Sequence, residues 1–288
     1  MEIIEDRQAL ATYLEKNVPG EASIGFVPTM GALHEGHLAL VRKARANSSL
    51  VVVSLFINRR QFNNLDDYEK YPRNVQADLS LLETVGPDVV FLPEEDNLFR
   101  GVAFPVFDLG SLDDRLEGKF RPGHFRGVFE VLWVFFSLIR PRYVFMGQKD
   151  LQQCAVVEKL LKQHFPFTTL CMVPTVRDKD GLALSSRNLR LTPEERIKAA
   201  GVSRALLSAA NALPGMAWTQ LRQDLLETIH QAGFSSEYVE LIQYPEFSME
   251  QRYKPGSLQA ICLAYYTESV RLIDNAWVKS PLSAGLFS

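Results

Sequence analysis

The sequence predicts an α/β protein with a doubly wound parallel sheet, followed by a smaller C-terminal α+β domain. The segment from Leu50 to Ile57 is a near-continuous apolar run with three consecutive valines, which is typical of a parallel strand covered on both faces. Strands and helices alternate in short succession along the first part of the chain, which indicates right-handed crossovers within one sheet. Beyond about Val176 the pattern changes to long helices and separated strands. The predicted domains therefore span residues 1–176 and 177–288.

The individual elements follow from apolar periodicity and from the residues that interrupt it. Ile24 to Val27 reads as a buried strand that Pro28 to Gly31 end, and helical spacing resumes at Leu38. The other predicted elements of the first domain are helices at 3–16, 73–85, 124–139 and 150–163, strands at 88–92, 144–146 and 168–173, and a weaker strand at 104–109. Those of the second domain are helices at 193–213 and 218–232 and strands at 238–242 and 259–266.

Composition favours a small-molecule substrate over a polymer. The 288 residues are 47% hydrophobic, which is ample for a packed core. With 31 basic and 34 acidic residues the formal net charge is −3, so no field attracts nucleic acid and no nucleic-acid partner is expected.

Targeting features point to the cytoplasm. Three widely spaced cysteines argue against a disulfide framework and favour a reducing compartment. The N-terminal segment MEIIEDRQALATYL lacks a basic flank followed by an apolar core, so no signal peptide is expected. The most apolar stretch, 128–139, is far shorter than the roughly 20 residues of a membrane span and predicts a buried helix.

The segment from Gly25 to His37, GFVPTMGALHEGH, joins the first buried strand to a helix and carries two histidines. In an open α/β sheet this junction is the usual ligand crevice, and the first N–H groups of the helix bind anions. Gly36 removes a side chain where a phosphate would approach the backbone. The pair His34 and His37 is also compatible with two metal ligands or two structural histidines, but the zinc spacing H-E-x-x-H is absent. A phosphate site is the favoured interpretation.

The string VPTMGALHEGH contains H-x-G-H and resembles the nucleotidylyltransferase superfamily; over its full length it resembles the pantothenate synthetase family. The resemblance runs densely from Ile24 to Leu191 and returns at 271–275, RLIDN. It implies a Rossmann-like fold of the nucleotidylyltransferase type. It also implies ATP-dependent ligation of pantoate and β-alanine through a pantoyl adenylate, with Mg²⁺ as cofactor and a homodimer as assembly.

Two further strings supply polar and cationic groups to such a site. DGLALSSRN, at 180–188, is by itself a polar loop, but it resembles the family's counterpart of the K-M-S-K-S loop that closes over a triphosphate. MGQKDLQQ, at 146–153, follows a strand and resembles the family motif F-G-E-K-D-x-Q-Q, with Gln148 in place of the usual Glu. The resemblance implies that Lys149 contacts the phosphates, that Asp150 holds the ribose and that Gln153 contacts pantoate.

The resemblance assigns roles residue by residue. It implies that the catalytic residues are His34, His37, Lys149, Ser185, Ser186 and Arg187. It also implies that Tyr71 contacts pyrophosphate and that Asp78 binds Mg²⁺. ATP binding falls to Met30, Gly36, His37, Gly147, Lys149, Asp150, Val176, Leu184, Ser185, Ser186 and Arg187. Pantoate binding falls to Gln61 and Gln153, which have donors and acceptors, and to an apolar wall of Pro28, Met30 and Phe56.

Three positions depart from the family pattern. Arg59 stands where F-V-N-P-x-Q-F has proline, and Glu130 and Val134 stand where the following helix has Thr and Lys. Strand alternation from Phe56 predicts that Arg59 points away from the pocket. These departures leave two other functions open: a nucleotidylyltransferase acting on another small acid or alcohol, and a non-catalytic nucleotide-binding protein.

Overall fold

The computed structural model describes residues 1–18 and 22–279, and contacts divide the chain into two compact units. The first unit contains Met1–Gly147 and Gln153–Val173; the second contains Gln148–Gln152 and the chain from Pro174 onward. The change at Val173 and Pro174 lies close to the boundary expected near Val176. Sequence reasoning did not anticipate that Gln148–Gln152 belongs with the second unit.

The predicted parallel sheet is confirmed in the first unit. In the part of the chain that the structure describes, it has six strands in the order β1-β4-β3-β2-β5-β6, every pair parallel. The strands are β1 Glu2–Ile4, β2 Ile24–Thr29, β3 Leu50–Leu55, β4 Val89–Phe91, β5 Tyr143–Gly147 and β6 Thr169–Val173.

Helices connect these strands. They are α1 Arg7–Asn17, α2 Glu35–Asn47, α3 Leu65–Glu69, α4 Val75–Glu83, α5 Glu95–Phe99, α6 Leu116–Phe120, α7 His124–Ile139 and α8 Leu151–His164. All six residues of β3 are buried, which explains the uninterrupted valine run. Phe26 of β2 contacts Phe135 and Phe136 of α7 edge-on, at ring-centroid distances of 5.4 and 6.2 Å.

The strand order reverses at β2, which has β3 on one side and β5 on the other. Among the described residues, β2 pairs with β5 only at Gly25–Tyr143 and Phe26–Val144. The two strands therefore carry no ladder bonds between them towards their carboxyl ends. A strand-order reversal of this kind is where open α/β sheets bind ligands.

Three sequence expectations are corrected in the first unit. The helix expected from residue 3 begins at Arg7, because Asp6 caps it by accepting from the N–H groups of Gln8 and Ala9, and residues 2–4 pair with β4 instead. Pro28 does not end β2, which continues to Thr29. The strand expected at 104–109 is an irregular segment. Its Phe107 is buried and stacks on Phe129 at 4.5 Å, so this side chain serves packing and not a ladder.

The second unit combines an antiparallel sheet with two long helices, as the α+β prediction requires. Over the described residues its four strands follow the order β10-β9-β7-β8. Helix α9 begins with a capping box in which Thr192 and Glu195 exchange hydrogen bonds, and the Thr192 N–H lowers the pKa of Glu195 to about 2. The elements are α9 Pro193–Ala212, α10 Trp218–Gln231, β7 Ser235–Gln243, β8 Ser248–Glu250, β9 Gln259–Tyr266 and β10 Arg271–Trp277.

The expected strands at 238–242 and 259–266 are confirmed as β7 and β9, whereas β8 and β10 were not predicted. Within residues 1–18 and 22–279, no helix has both the length and the apolar character needed to cross a membrane. All three cysteines lie in the described chain and are free thiols.

Candidate active site

The two histidines lie where β2 passes into α2, and they cap that helix. His34 is the N-cap residue; its Nδ1 accepts from the Gly36 N–H at 3.1 Å. The His34 N–H donates in turn to Nδ1 of His37 at 3.2 Å, and the rings lie 4.1 Å apart. Because a ring nitrogen that accepts an N–H carries no proton, we assign the proton of each neutral ring to Nε2. Each histidine is thereby fixed as a donor through Nε2.

A buried carboxylate holds the loop that precedes these histidines. The backbone at Gly31 and Ala32 is left-handed, with φ of 78° and 50°. Asp78 of α4 is 5% exposed and accepts from the N–H of Ala32 at 2.9 Å and from that of Leu33 at 2.7 Å. The structure thus gives Asp78 a loop-holding role that sequence reasoning did not find. Its assignment to Mg²⁺ stays a prediction.

The structure places two of the residues assigned to pantoate, Met30 and Gln61, in contact. Gln61 is buried, and its Nε2 lies 2.9 Å from Sδ of Met30. Nδ2 of Asn58 donates to Gln61 Oε1 at 3.2 Å and to the Gly127 carbonyl at 2.9 Å, which fixes the orientation of the glutamine. Phe56 is buried and packs edge-on against Phe135 at 6.3 Å. Gln61 and Met30 are therefore in contact, and Phe56 packs on α7, the helix whose Gly127 carbonyl accepts from Asn58.

Gly127 explains how the Gln61 turn is held so close to α7. A β-carbon on Gly127 would lie 2.4 Å from the Arg60 carbonyl oxygen, so no side chain fits at this crossing. His124, also on α7, contacts the Gln61 carbonyl through Nδ1 at 2.8 Å. Tyr71, the predicted pyrophosphate residue, is buried against Phe62 at 5.7 Å.

Arg59, which stands where the family pattern has proline, is compatible with the contacts of Gln61. Strand β3 ends at Leu55, and Arg59–Gln61 form a short 3-10 turn that Asn58 caps, so strand alternation does not extend to Arg59. The alternation argument was therefore wrong in its reason, although Arg59 is exposed. Glu130, where the family pattern has Thr, forms ion pairs with Arg60 at 3.1 Å and with Arg126 at 2.8 Å. Val134, where the pattern has Lys, is a buried residue of α7.

Restoring proline at position 59 should change the Michaelis constant for pantoate by less than about 5-fold and leave the turnover number nearly unchanged. Proline stiffens the turn and keeps the carbonyl at position 59 that accepts from the Phe62 N–H. Steady-state kinetics of Arg59→Pro measure this effect, and Arg59→Ala separates the loss of arginine from the gain of proline. A ligase activity that is present in Arg59→Pro and absent in the natural chain would overturn the assignment.

In the second unit, Lys149 and Asp150 lie in a 3-10 turn that follows β5. The Lys149 side chain is 17% exposed, its Nζ lies 3.9 Å from Oδ1 of Asp150, and the Asp150 side chain is half exposed. Asn275 of β10 donates to the carbonyl oxygens of Gln148 at 3.0 Å and Lys149 at 2.8 Å. The lysine is therefore carried on a backbone that the strand holds.

The serine and arginine residues follow a small hairpin. Arg177 and Ala183 form an antiparallel bridge, and the Leu184 N–H donates to the Val176 carbonyl at 3.0 Å. Ser185 then caps the 3-10 helix Ser186–Arg190 by accepting from the Arg187 N–H at 3.2 Å. The five residues assigned here to ATP, Val176, Leu184, Ser185, Ser186 and Arg187, thus lie on one short hairpin and the turn after it.

The sites of the two units differ in character. The described residues hold no group of three or more His, Cys, Asp or Glu side chains placed to bind a metal ion. The candidate residues of the first unit are imidazoles, buried amides and apolar side chains, and those of the second unit are a lysine, an arginine and hydroxyls. Gln153, at the start of the first unit's part of α8, is half-buried.

Comparison with known proteins agrees with these motifs. The sequence profile described as pantoate-beta-alanine ligase matches residues 2–277. The pantothenate synthetase of Pelotomaculum thermopropionicum is 41% identical over 257 residues, which cover 88% of this chain and 90% of that protein.

Solved structures agree as well. Pantothenate synthetase from Thermus thermophilus is 36% identical with a TM-score of 0.89, covering 98% of this chain and 100% of that one. The ligase from Francisella tularensis, solved with β-γ ATP and β-alanine, is 32% identical with a TM-score of 0.80, covering 96% and 97% of the two chains. The chain therefore belongs to the pantoate–β-alanine ligase family, enzymes that join pantoate to β-alanine.

Proposed function

We propose that the chain ligates pantoate and β-alanine through a pantoyl adenylate. A carboxylate does not condense with an amine in water, because its oxygen is a poor leaving group. In the first step the pantoate carboxylate attacks the α-phosphorus of ATP in line, and pyrophosphate leaves. In the second step the neutral amine of β-alanine attacks the acyl carbon, the bond from that carbon to the phosphate oxygen breaks, and AMP leaves.

The observation that carries this proposal is the histidine pair at the start of α2. Both rings are fixed by hydrogen bonds from backbone N–H groups, so no reorganisation is needed when charge develops on the phosphates. The start of α2 adds the positive end of the helix dipole, while the Gly36 and His37 N–H groups already donate to His34. Lys149, Ser185, Ser186 and Arg187 are the second unit's proposed donors to phosphate oxygens. Positioning of the two reactants supplies much of the remaining rate.

Two features of the chain and one relative support ATP as the nucleotide. A β-carbon placed on Gly147 meets no atom within 4 Å, so the packing of the protein does not itself require glycine at the end of β5. Oγ1 of Thr175 and Oδ1 of Asn188 are buried without a hydrogen-bond partner among the described residues, and they flank the hairpin assigned to ATP. Buried polar atoms are normally paired, which favours a polar ligand there. The Francisella tularensis relative was solved with a nucleotide of this class.

Magnesium fits as a cofactor that the substrate phosphates largely hold. Mg²⁺ usually keeps waters and binds one or two carboxylates together with phosphate oxygens. Asp78 matches the single carboxylate of such a set, since each of its oxygens accepts one N–H and retains a further lone pair. When bound, the ion would neutralise the charge of the leaving pyrophosphate.

Pantoate is assigned to the wall that contains Pro28, Met30, Phe56 and Gln61, with Gln153 as a polar partner. Gln153→Ala should raise the Michaelis constant for pantoate about 5- to 100-fold, because a hydroxyl or carboxylate left without its partner costs about 1–3 kcal/mol. The constant for ATP should stay within about 2-fold. Gln163→Ala, on the exposed face of the same helix, is the matched control. A weaker affinity for ATP with unchanged affinity for pantoate would show that the assignment of Gln153 to pantoate is wrong.

The assembly and the compartment extend the same proposal. We infer a homodimer from membership of the family, and sedimentation or light scattering of the purified chain tests it. The free thiols of Cys154, Cys171 and Cys262 support a reducing compartment, for which the cytoplasm is proposed.

An omission assay tests the proposed function. AMP release is measured with pantoate, ATP, Mg²⁺ and β-alanine present, and then with each component left out in turn. The proposal expects sustained AMP release only with the complete mixture. Pyrophosphate release that does not depend on β-alanine and yields a stable nucleotidyl product would indicate a different nucleotidylyltransferase. ATP binding without turnover would indicate a non-catalytic protein.

A further inference from the structure

The last strand of the described residues, β10, carries two buried polar residues that the proposed mechanism does not use. Asp274 and Asn275 are 5% and 3% exposed, and they are neighbours on β10, an edge strand of the second unit's sheet. Successive side chains of a strand point to opposite faces. The two side chains therefore have different partners: Gln148 and Lys149 for Asn275, and Arg177 and Ser203 for Asp274.

Asn275 holds the turn that carries Lys149. Its Nδ2 donates to the carbonyl oxygens of Gln148 and Lys149, and its Oδ1 accepts from Nε2 of Gln148 at 3.0 Å. Both donor hydrogens and the carbonyl oxygen of the side chain are engaged in this turn. Removing the asparagine would leave these buried groups without partners and the lysine backbone without its anchor.

Asp274 holds the hairpin that leads to Ser185, Ser186 and Arg187. Its carboxylate accepts from Nη1 of Arg177 at 2.7 Å and from Nη2 at 2.9 Å, a bidentate pair, and from Oγ of Ser203 at 3.0 Å. Arg177 also donates to the carbonyl oxygens of Gly181 at 3.2 Å and Asn275 at 3.3 Å. One guanidinium thus ties both strands of the hairpin to β10.

We propose that Asp274 and Asn275 are positioning residues that anchor the Lys149 turn and the Arg177–Ala183 hairpin to the same strand. The inference rests on the proposed function, in which Lys149, Ser185, Ser186 and Arg187 contact the phosphates. A common anchor on two adjacent residues of β10 fixes the spacing between the lysine and the arginine loop. A displacement of either segment by about 1 Å would cost on the order of 100-fold in rate.

A double-mutant cycle between Asn275 and Lys149 tests the inference. Asn275→Ala should lower kcat/KM for ATP on the order of 10- to 100-fold, while the Michaelis constant for pantoate stays within about 2-fold, because the residues assigned to pantoate belong to the first unit. In the Lys149→Ala background the same change should cost less than about 3-fold, since Asp150 is then the one ATP-assigned residue of the turn left to position. Asn211→Ala, at an exposed asparagine of α9, is the control and should change neither constant.

The outcomes separate this inference from the proposed function. If the losses in kcat/KM of the two single variants multiply in the double variant, the positioning role of Asn275 is overturned. An equal effect of Asn275→Ala on the constants for pantoate and ATP overturns it as well. A Lys149→Ala enzyme that keeps its full rate overturns the assignment of Lys149 itself. If Asn275→Ala does not fold, Asn275→Ser is measured in its place, because serine keeps a small polar side chain that is too short to hold both carbonyl groups.

The positioning role of Asp274 is tested by Asp274→Asn. This change should raise the Michaelis constant for ATP and not that for pantoate; equal increases in the two constants overturn the role.

Discussion

Replacing His37 with alanine is expected to lower the rate of adenylate formation about 100-fold or more, the loss typical for one donor aimed at developing charge. The His34 N–H fixes the ring and places its proton on Nε2, from which it would donate to the substrate. The truncation also removes one side of the helix cap, which costs about 1 kcal/mol of folding free energy. That cost is too small to unfold a domain of ordinary stability. Pantoate-dependent release of pyrophosphate in a single turnover measures the expected loss.

The control for His37→Ala is His230→Ala, at an exposed histidine of α10 that should change neither rate nor stability. Circular dichroism and the unfolding midpoint establish that the His37 variant is folded. A folded His37→Ala enzyme with a near-normal rate of pyrophosphate release would remove the histidine from the catalytic assignment. It would then favour a purely structural role for the capping pair.

Replacing Asp78 with asparagine should lower both stability and activity. Asparagine has nearly the same shape, but its amide nitrogen cannot accept, so one of the N–H groups of Ala32 and Leu33 loses its partner. An unpaired buried donor costs about 1–3 kcal/mol in the free energy of unfolding. The released loop contains the left-handed residues Gly31 and Ala32 and leads directly to His34, so the rate should fall on the order of 100-fold.

Measurements of the Asp78→Asn variant at different Mg²⁺ concentrations distinguish the loop-holding role of Asp78 from a role in metal binding alone. Denaturant unfolding without Mg²⁺ should already show the loss of stability, and raising the Mg²⁺ concentration should not restore the rate. Glu83→Gln, at an exposed carboxylate of the same helix, is the matched control. Unchanged stability together with a rate that recovers fully at high Mg²⁺ would contradict the loop-holding role.

Local patterns predicted most of the elements that position the site. Helix α7 was placed at its observed limits, because a bulky apolar stretch ends just before Pro141. The strand-to-helix junction at His34 was found because an apolar run, a turn and a helical stripe follow one another within a few residues. The valine run of β3 was sufficient to predict a strand buried on both faces.

Long-range polar contacts could not be predicted in the same way. Asp78 reads as an ordinary residue of a helix surface, and its partners lie 45 and 46 residues earlier in the chain. Strand β10 was missed because Asp274 and Asn275 interrupt its apolar residues, and nothing in the sequence shows that Arg177 and Gln148 satisfy them. The match to RLIDN marked the segment, but only the fold shows what these side chains hold.

The path of the carboxylate oxygen tests the central claim most directly. Pantoate labelled with oxygen-18 in its carboxylate is converted with ATP, Mg²⁺ and β-alanine, and the AMP is analysed by mass spectrometry. The adenylate route predicts one labelled oxygen in the phosphate of AMP, because the oxygen that attacks the α-phosphorus stays on it when the acyl bond breaks. Unlabelled AMP, or label in inorganic phosphate with ADP as the second product, would contradict the account.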